Sequence, residues 1–359
     1  MSRSPQLPPK GGTITIIGAG ATGALCAEFL TAAGFQVIIL EKATPGNGSS
    51  SRSAAAIRAQ FSTPDTVAGM MWAEYWFTKF YDELGVPEAD RGEAVIVQNG
   101  YLWLFEDPEA VPSWNTSGRA ELQTSWDRAR KDVVMQQKVG LSVEILTPDE
   151  ITARWPHLSE EAWRLIGGIF CGTDGFLRHD LVYQVGLQQA RAHGATLMVN
   201  TEVIGCETKE DGKIVALRVL RDGSYQVIPC DAVVNATNAW APRLSAMLGG
   251  APLPIKPTRR YLTVQGRPPN GISDDAWRGL PFTIYGKSKG RECYSRPEGP
   301  GQLMLGWATT PSRSTDSRTR IRIALIPDSA TTIGPRLLRT HWQCSSRSGP
   351  SRPSLSPAT

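Results

Sequence analysis

No stretch of this sequence is apolar for long enough to span a membrane as a helix, and its six cysteines, Cys26, Cys171, Cys206, Cys230, Cys293 and Cys344, include no C-x-x-C pair. The first absence excludes a bundle of transmembrane helices. The second argues against a disulfide framework and a zinc site, and predicts buried free thiols and no metal. The opening residues 1–10 lack the apolar core of a signal peptide, so the expected location is intracellular and cytoplasmic. No strong basic surface is expected either. The net charge is +4, but residues 311–359 carry eight arginines against two aspartates, a net +6, which leaves residues 1–310 at −2. Nothing in that larger part points to a nucleic-acid partner. With 41% hydrophobic and 20% charged residues, the composition is that of a globular protein. At 359 residues it exceeds the usual size of one hydrophobic core.

What is present is concentrated in residues 13–41. An apolar β-branched run, Thr-Ile-Thr-Ile-Ile, meets Gly18, Gly20 and Gly23 in G-x-G-x-x-G spacing, with Ala21 and Thr22 opening a helical stretch. A second apolar run ends at Glu41, followed by Lys42. This is a βαβ dinucleotide fingerprint. Gly18 permits the tight turn, Gly20 lets the backbone approach a pyrophosphate, and Gly23 with Ala27 lets helix and sheet pack closely. The pyrophosphate belongs at the helix N-terminus, where unpaired N–H groups and the helix dipole favour negative charge. Glu41 is placed to accept hydrogen bonds from a ribose. It would repel a 2′-phosphate, which disfavours NADP against FAD or NAD.

Further along, Thr63-Pro64-Asp65 reads as a helix start, and the aromatic stripe Trp72, Tyr75, Trp76, Phe77, Phe80 and Tyr81 as core packing. Asn99-Gly100 between apolar runs predicts a hairpin. Helices are expected over about 118–139 and 179–193, and strands over 195–209, 213–220, 225–229 and 231–236. The strand-rich stretch 255–306 follows. The predicted architecture is α/β: a Rossmann-type (βαβ) dinucleotide-binding domain (1–89 and 161–250) with an inserted antiparallel-sheet substrate domain (90–160 and 251–310). Residues 311–359, rich in Ser, Arg and Pro, are expected to be a disordered tail.

These pieces resemble the FAD-dependent amine and D-amino-acid oxidase family, the group of sarcosine oxidase and dimethylglycine dehydrogenase. The likeness rests on the fingerprint, the loop Ser49-Ser50-Ser51-Arg52 with Ile57-Arg58, Asp174-Gly175, the turn Asn235–Trp240, and Tyr294–Glu298 followed by Leu303–Trp307. It implies a flavin along the Rossmann domain, and oxidation of the C–N bond of a small amino acid or secondary amine by hydride transfer to flavin N5. By the same resemblance Arg58 would hold the substrate carboxylate, as the catalytic-site candidate, and Arg52, Ser49 and Ser50 would face the cofactor. Val203 would meet the adenine, and Ala236, Thr237 and Trp240 would form the turn over the adenosine side. Asn238 stands where that turn has glycine.

Met304 occupies the place of a lysine in sarcosine oxidases, and a thioether cannot stabilise superoxide by charge, so a dehydrogenase with an unknown electron acceptor is expected over an oxidase. His157, His179 and His193 lie outside the loop that anchors covalent flavin in relatives, so FAD is expected to be noncovalent. The family's later glycine-rich loop and closing helix are not recognisable after Pro311, which predicts a truncated, weakly FAD-binding and inactive chain as the alternative. A flavin monooxygenase or an NAD-dependent dehydrogenase using the same fingerprint is a further alternative.

Overall fold

The computed structural model describes residues 7–258, 261–266, 273–285, 293–299 and 301–307. The expectation for 311–359 lies outside the described residues. The strand Thr13–Ile17 is buried from Ile14 onward and pairs in parallel on one side with Gln36–Leu40 and on the other with Ala232–Asn235. Thr196–Met198 completes this parallel sheet beyond Gln36–Leu40. The crossover is the helix Ala21–Ala32. It is followed by Gly34 at φ +91°, a left-handed position that glycine adopts without a Cβ penalty.

The helix Ala21–Ala32 packs on His179–Ala192, and the contact is close because its residues are small. A Cβ on Gly186 would lie 3.4 Å from the Ala24 methyl, so any larger side chain there would push the helices apart. Ile16, Ala24, Ala27, Val37, Ile39, Leu187 and Ala190 fill this face of the sheet. The opposite face carries Ile17 and Leu40, which pack on Val203, Leu217, Val219 and Ile228 of the antiparallel strands Thr201–Thr208, Ile214–Arg221 and Ser224–Pro229.

A second sheet has seven strands, ordered Leu262–Gln265, Leu303–Trp307, Cys293–Pro297, Phe282–Tyr285, Tyr101–Glu106, Leu165–Cys171 and Val143–Leu146. It is antiparallel as expected, except that Phe282–Tyr285 and Tyr101–Glu106 run parallel. The helix Thr116–Val139 covers one side through Trp126 and Val133. Ile151, Leu158 and Trp277 pack on Leu102, Leu104, Leu303 and Leu305 in a separate cluster.

Two sequence expectations change here. Asn99-Gly100 does not close a hairpin: Ile96–Val97 pairs with Gly175–Leu177, while Tyr101–Glu106 joins the large sheet. The reason is that Gly100 (φ +88°) satisfies its backbone groups elsewhere, donating to the Asp174 carbonyl (3.0 Å) and accepting from the Phe282 amide (2.9 Å). The turn therefore passes the chain from one sheet to another. Nor is the aromatic stripe all core. Trp76, Phe77 and Phe80 pack edge-on or stacked, with Trp76–Phe80 at 5.5 Å, but Trp72 and Tyr75 are 66% and 61% exposed. The buried line of the helix Pro64–Thr78 runs instead through Val67 and Glu74, two turns apart.

Candidate functional site

The glycine turn is held by backbone contacts that leave no room for side chains. A Cβ on Gly18 (φ +105°) would lie 2.8 Å from the Ala236 carbonyl oxygen, and one on Gly20 would lie 2.7 Å from Ser50 Oγ. At Gly23 it would collide with the Gly18 carbonyl oxygen. The first turn of the helix Ala21–Ala32 contains no acidic residue, and Gly20 offers no capping side chain. Ser50 Oγ accepts the Ala21 amide proton at 3.0 Å, bringing the Ser49–Arg52 loop against the helix N-terminus. Glu41 ends the second strand with both carboxylate oxygens occupied: Oε2 accepts from the Ala19 amide and Oε1 from the Ala43 amide, each at 2.9 Å.

These pieces border a cavity of about 390 Å³. Of the residues singled out from the sequence, Gly18, Gly20, Glu41, Lys42, Ser49, Ser50, Arg52, Val203, Ala236, Thr237 and Trp240 line it. Ala21, Thr22 and Gly23 do not line it; they form the first turn of the helix just behind. Lys42 Nζ pairs with Glu202 at 2.7 Å on the rim. On the far wall, Asn235 Oδ1 accepts from the Thr237 hydroxyl (2.7 Å) and amide (3.2 Å), fixing the turn into Trp240. Asn238 has φ +47°, so asparagine does adopt the left-handed backbone of this turn.

Sequence reasoning missed Asn47, Thr201, Arg243 and Met247 on the cavity wall. Asn47 carried a faint signal, lying in the same polar loop as Arg52, whose guanidinium donates to it at 3.3 Å. Arg243 and Met247 sit on the short helix Ala241–Met247 and had no pattern to mark them.

The glycine turn and the cavity beside it suit a dinucleotide: a helix terminus free of acid, a glycine turn against it, and a carboxylate at the end of the second strand.

Arg58 lies apart from the cavity lining, six residues beyond Arg52. Its guanidinium carbon is 4.6 Å from the ring centre of Phe61, 5.2 Å from Trp103 and 5.5 Å from Tyr101, and its Nε donates to the Gln60 carbonyl at 3.4 Å. Burial pushes the Tyr101 hydroxyl up to about 12 against the pull of Arg58, so it stays protonated. Tyr101 stacks on Phe282 (4.6 Å, 9°), which stacks on Tyr294 (5.6 Å, 21°). Met304 is buried on the strand Leu303–Trp307, in register with Arg296.

Arg296 ties the two regions together. It is 4% exposed, its Nε donates to the Ala54 carbonyl at 2.7 Å, and its Nη1 pairs with Glu298 at 2.5 Å. Ala54 precedes Ala55, which holds φ +50°. The second sheet thus grips the segment between Arg52 and Arg58 at its most bent point.

Near Arg58 is a buried polar group of which the sequence marked only Asp174, as part of the Asp174-Gly175 motif. Asp174 accepts from the Ala59 amide and from Gln60 Nε2, both at 3.0 Å, and the buried Glu74 carboxyl lies against it with Oε1 lacking a hydrogen-bond partner. Burial, and then the neighbouring Asp174 charge, lift the Glu74 carboxyl to about 9. Among the described residues no group of His, Cys, Asp and Glu is arranged to hold a metal ion, and no helix is long and apolar enough to cross a membrane. Cys26, Cys171, Cys206, Cys230 and Cys293 are free thiols; Cys344 lies outside the described residues.

A parallel βαβ sheet with a cavity at its glycine turn, joined to a large, mainly antiparallel sheet, is a mixed α/β fold of the dinucleotide-binding kind. The sequence matches the family described as FAD dependent oxidoreductase (DAO) over residues 13–357, and the chain belongs to that family. The match takes in residues 311–357, which the residue pattern alone sets apart. Glycine oxidase of Geobacillus kaustophilus is 26% identical over 302 residues, covering 83% of this chain and 70% of that protein. FAD-dependent oxidoreductase domain-containing protein 1 of Xenopus laevis is 22% identical, covering 72% of this chain; the alignment spans only 54% of that relative's length. Among solved structures, L-proline dehydrogenase of P. horikoshii superposes with a TM-score of 0.64 at 25% identity, covering 86% of this chain and 73% of that one.

Proposed function

We propose that this chain binds FAD noncovalently along the Gly18–Glu41 cavity and oxidises the C–N bond of a small amino acid or secondary amine. The observation that carries this reading is the segment Ser49–Arg58, which lines the nucleotide cavity at one end and places a guanidinium among aromatic rings at the other. FAD, when bound, supplies a two-electron acceptor for the hydride on the carbon beside nitrogen. Gly18, Gly20 and the N-terminus of the helix Ala21–Ala32 would take the pyrophosphate, and Glu41 the ribose. Arg58 would hold the substrate carboxylate, oriented by Tyr101 and Trp103. The substrate's imine is then hydrolysed by water. No histidine or cysteine is among the residues lining the cavity, which supports noncovalent attachment. An intracellular, cytoplasmic location fits the same reading, as does the partition into nucleotide (1–89, 161–250) and substrate (90–160, 251–310) portions.

The uncharged Met304 favours a dehydrogenase over an oxidase. Purification followed by a flavin spectrum, and then anaerobic mixing with glycine, sarcosine or L-proline, tests the proposal. Bleaching of the flavin band by one of them is expected, with faster reoxidation by a dye acceptor than by air. Absence of bound flavin, or no bleaching by any amino acid or amine, would overturn it.

A further inference from the structure

We infer that the buried carboxyl pair Asp174 and Glu74 is a positioning pair for Arg58: through one shared proton it fixes both walls of the Arg58 pocket and thereby sets affinity for the substrate carboxylate. The inference rests on the proposed role of Arg58 for its effect on substrate, but not for its effect on the loop.

The geometry is specific. Asp174 is fully buried, and its two carboxylate oxygens are divided between the backbone amide of Ala59 and the side-chain amide of Gln60. These are the two residues directly after Arg58. The same Gln60 nitrogen also donates to the Tyr101 carbonyl at 3.0 Å, and the Asp174 carbonyl accepts from Gly100. One residue therefore ties the chain that carries Arg58 and Phe61 to the strand that carries Tyr101 and Trp103. Those are the rings around the guanidinium. Asp174 lies 115 residues from Ala59 in sequence, so no local turn explains the contact.

Glu74 enters from a third element, the helix Pro64–Thr78, and is 3% exposed. Two ionised carboxylates in hydrogen-bond contact in a dry interior repel strongly, so the pair retains one proton. Burial and then the Asp174 charge raise Glu74; burial raises Asp174 as well, against the hydrogen bonds from Ala59, Cys171, Gln60 and Glu74. Both Asp174 oxygens already accept N–H groups, so the proton the pair retains sits on Glu74, which burial lifts to about 9. The other groups facing the pair are the Cys171 thiol and the Tyr101 hydroxyl, both pushed up to about 12, with Arg58 the nearby cation and Tyr294 further along the ring stack. Neither the Cys171 thiol nor the Tyr101 hydroxyl loses its proton before Glu74 as pH rises. Loss of the Glu74 proton puts a second negative charge against Asp174, and the carboxylates move apart. The hold on Ala59 and Gln60 weakens with them.

Two variants separate this from a merely structural role. Glu74→Gln keeps a neutral donor at every pH. Asp174→Asn leaves one acceptor oxygen where the Ala59 amide, Gln60 Nε2 and Glu74 converge, and turns an NH₂ toward one of these donors. Hydrogen–deuterium exchange of peptides spanning 57–62 is followed in the full chain from neutral pH to beyond 9, corrected for intrinsic exchange. The wild type is expected to lose roughly tenfold in protection on the alkaline side, Glu74→Gln to show no such loss, and Asp174→Asn to lack the protection throughout. The parallel kinetic readout is flavin reduction by glycine, sarcosine or L-proline. KM should rise roughly tenfold over the same pH range with kcat little changed, the rise should vanish in Glu74→Gln, and Asp174→Asn should add no further KM increase to Arg58→Ala.

An alkaline loss of protection that persists in Glu74→Gln overturns the inference even if Asp174→Asn fails to fold. So does full multiplication of the Asp174→Asn and Arg58→Ala effects. If exchange behaves as expected but no amino acid reduces the flavin, the proposed function falls and the positioning pair stands. If Arg58→Ala raises KM while both carboxyl variants match the wild type, the reverse holds.

Discussion

Glu41 and Ala19 are joined across 22 residues: the carboxylate at the end of the second strand accepts the amide proton in the middle of the glycine turn at 2.9 Å. The acid thus shapes the turn as well as facing the cavity. Its second oxygen, on the Ala43 amide, fixes the chain as it leaves the strand.

Glu41→Lys should therefore weaken FAD binding twice over, by placing a cation at the ribose and by releasing the Ala19 amide. A charge-assisted hydrogen bond is worth about 1.5–3 kcal/mol, which corresponds to roughly a ten- to hundredfold change in affinity. Glu41→Gln, which keeps an acceptor, should lose less. Fluorescence titration of the apoprotein with FAD reads both, and equal affinity in all three proteins would refute the assignment.

Gly23 and Gly34 predict opposite ends of a scale. A Cβ on Gly23 collides with the Gly18 carbonyl oxygen, where no flexible side chain can yield, so Gly23→Ala should cost about 2–3 kcal/mol and most of the FAD affinity. Gly34 has open space around it and only its positive φ to satisfy, so Gly34→Ala should cost about 1 kcal/mol and spare FAD binding. Urea unfolding midpoints in the reverse order would count against this packing.

Arg58→Ala removes the guanidinium from its ring pocket while leaving the nucleotide cavity untouched. Flavin content should persist, and flavin reduction by a carboxylate-bearing substrate should lose about a hundredfold in kcat/KM. An amine without a carboxylate should be affected far less. Equal losses for both substrates would show that Arg58 supports the fold and not the substrate.

Glu74 gives the stability of the protein a pH dependence of defined sign. A carboxyl that binds its proton more tightly folded than unfolded stabilises the fold fully below its unfolded pKa, and that contribution is lost as pH rises through the folded value. The window runs from about 4.5 to about 9. Unfolding free energy should fall across it by up to about 1.4 kcal/mol per pH unit from this proton, and Glu74→Gln should flatten the slope. Parallel lines for the two proteins in denaturant titrations would contradict a shared proton.

The parts legible in the sequence are those whose determinants are close together in the chain. Gly18, Gly20, Gly23 and Glu41 lie within 24 residues, and the strand, turn and helix they predict are all present. Val203, Ala236 and Thr237 were reached only through a family resemblance, because strands from distant segments bring them to the cavity. Asn99-Gly100 has the residues of a hairpin turn, yet its backbone partners are Asp174 and Phe282, more than 70 residues away. Glu74 has no sequence signature at all. On a helix it reads as a solvated acid, and only the arrival of Asp174 near Arg58 makes its burial intelligible.

The hydrogen bond from Arg296 to the Ala54 carbonyl, described above as a grip on a bent segment, has a consequence for exchange of parts between relatives. The segment 46–58 is covalently continuous with the nucleotide sheet but is braced by a buried side chain of the other sheet. A chimera cut at the sheet boundary would leave that guanidinium without its carbonyl, or the carbonyl without its guanidinium. Residues 46–58 and the strand carrying Arg296 must therefore come from one parent, and because Ser50 accepts from the Ala21 amide and Gly46 donates to the Ala19 carbonyl, that parent must supply the glycine turn as well.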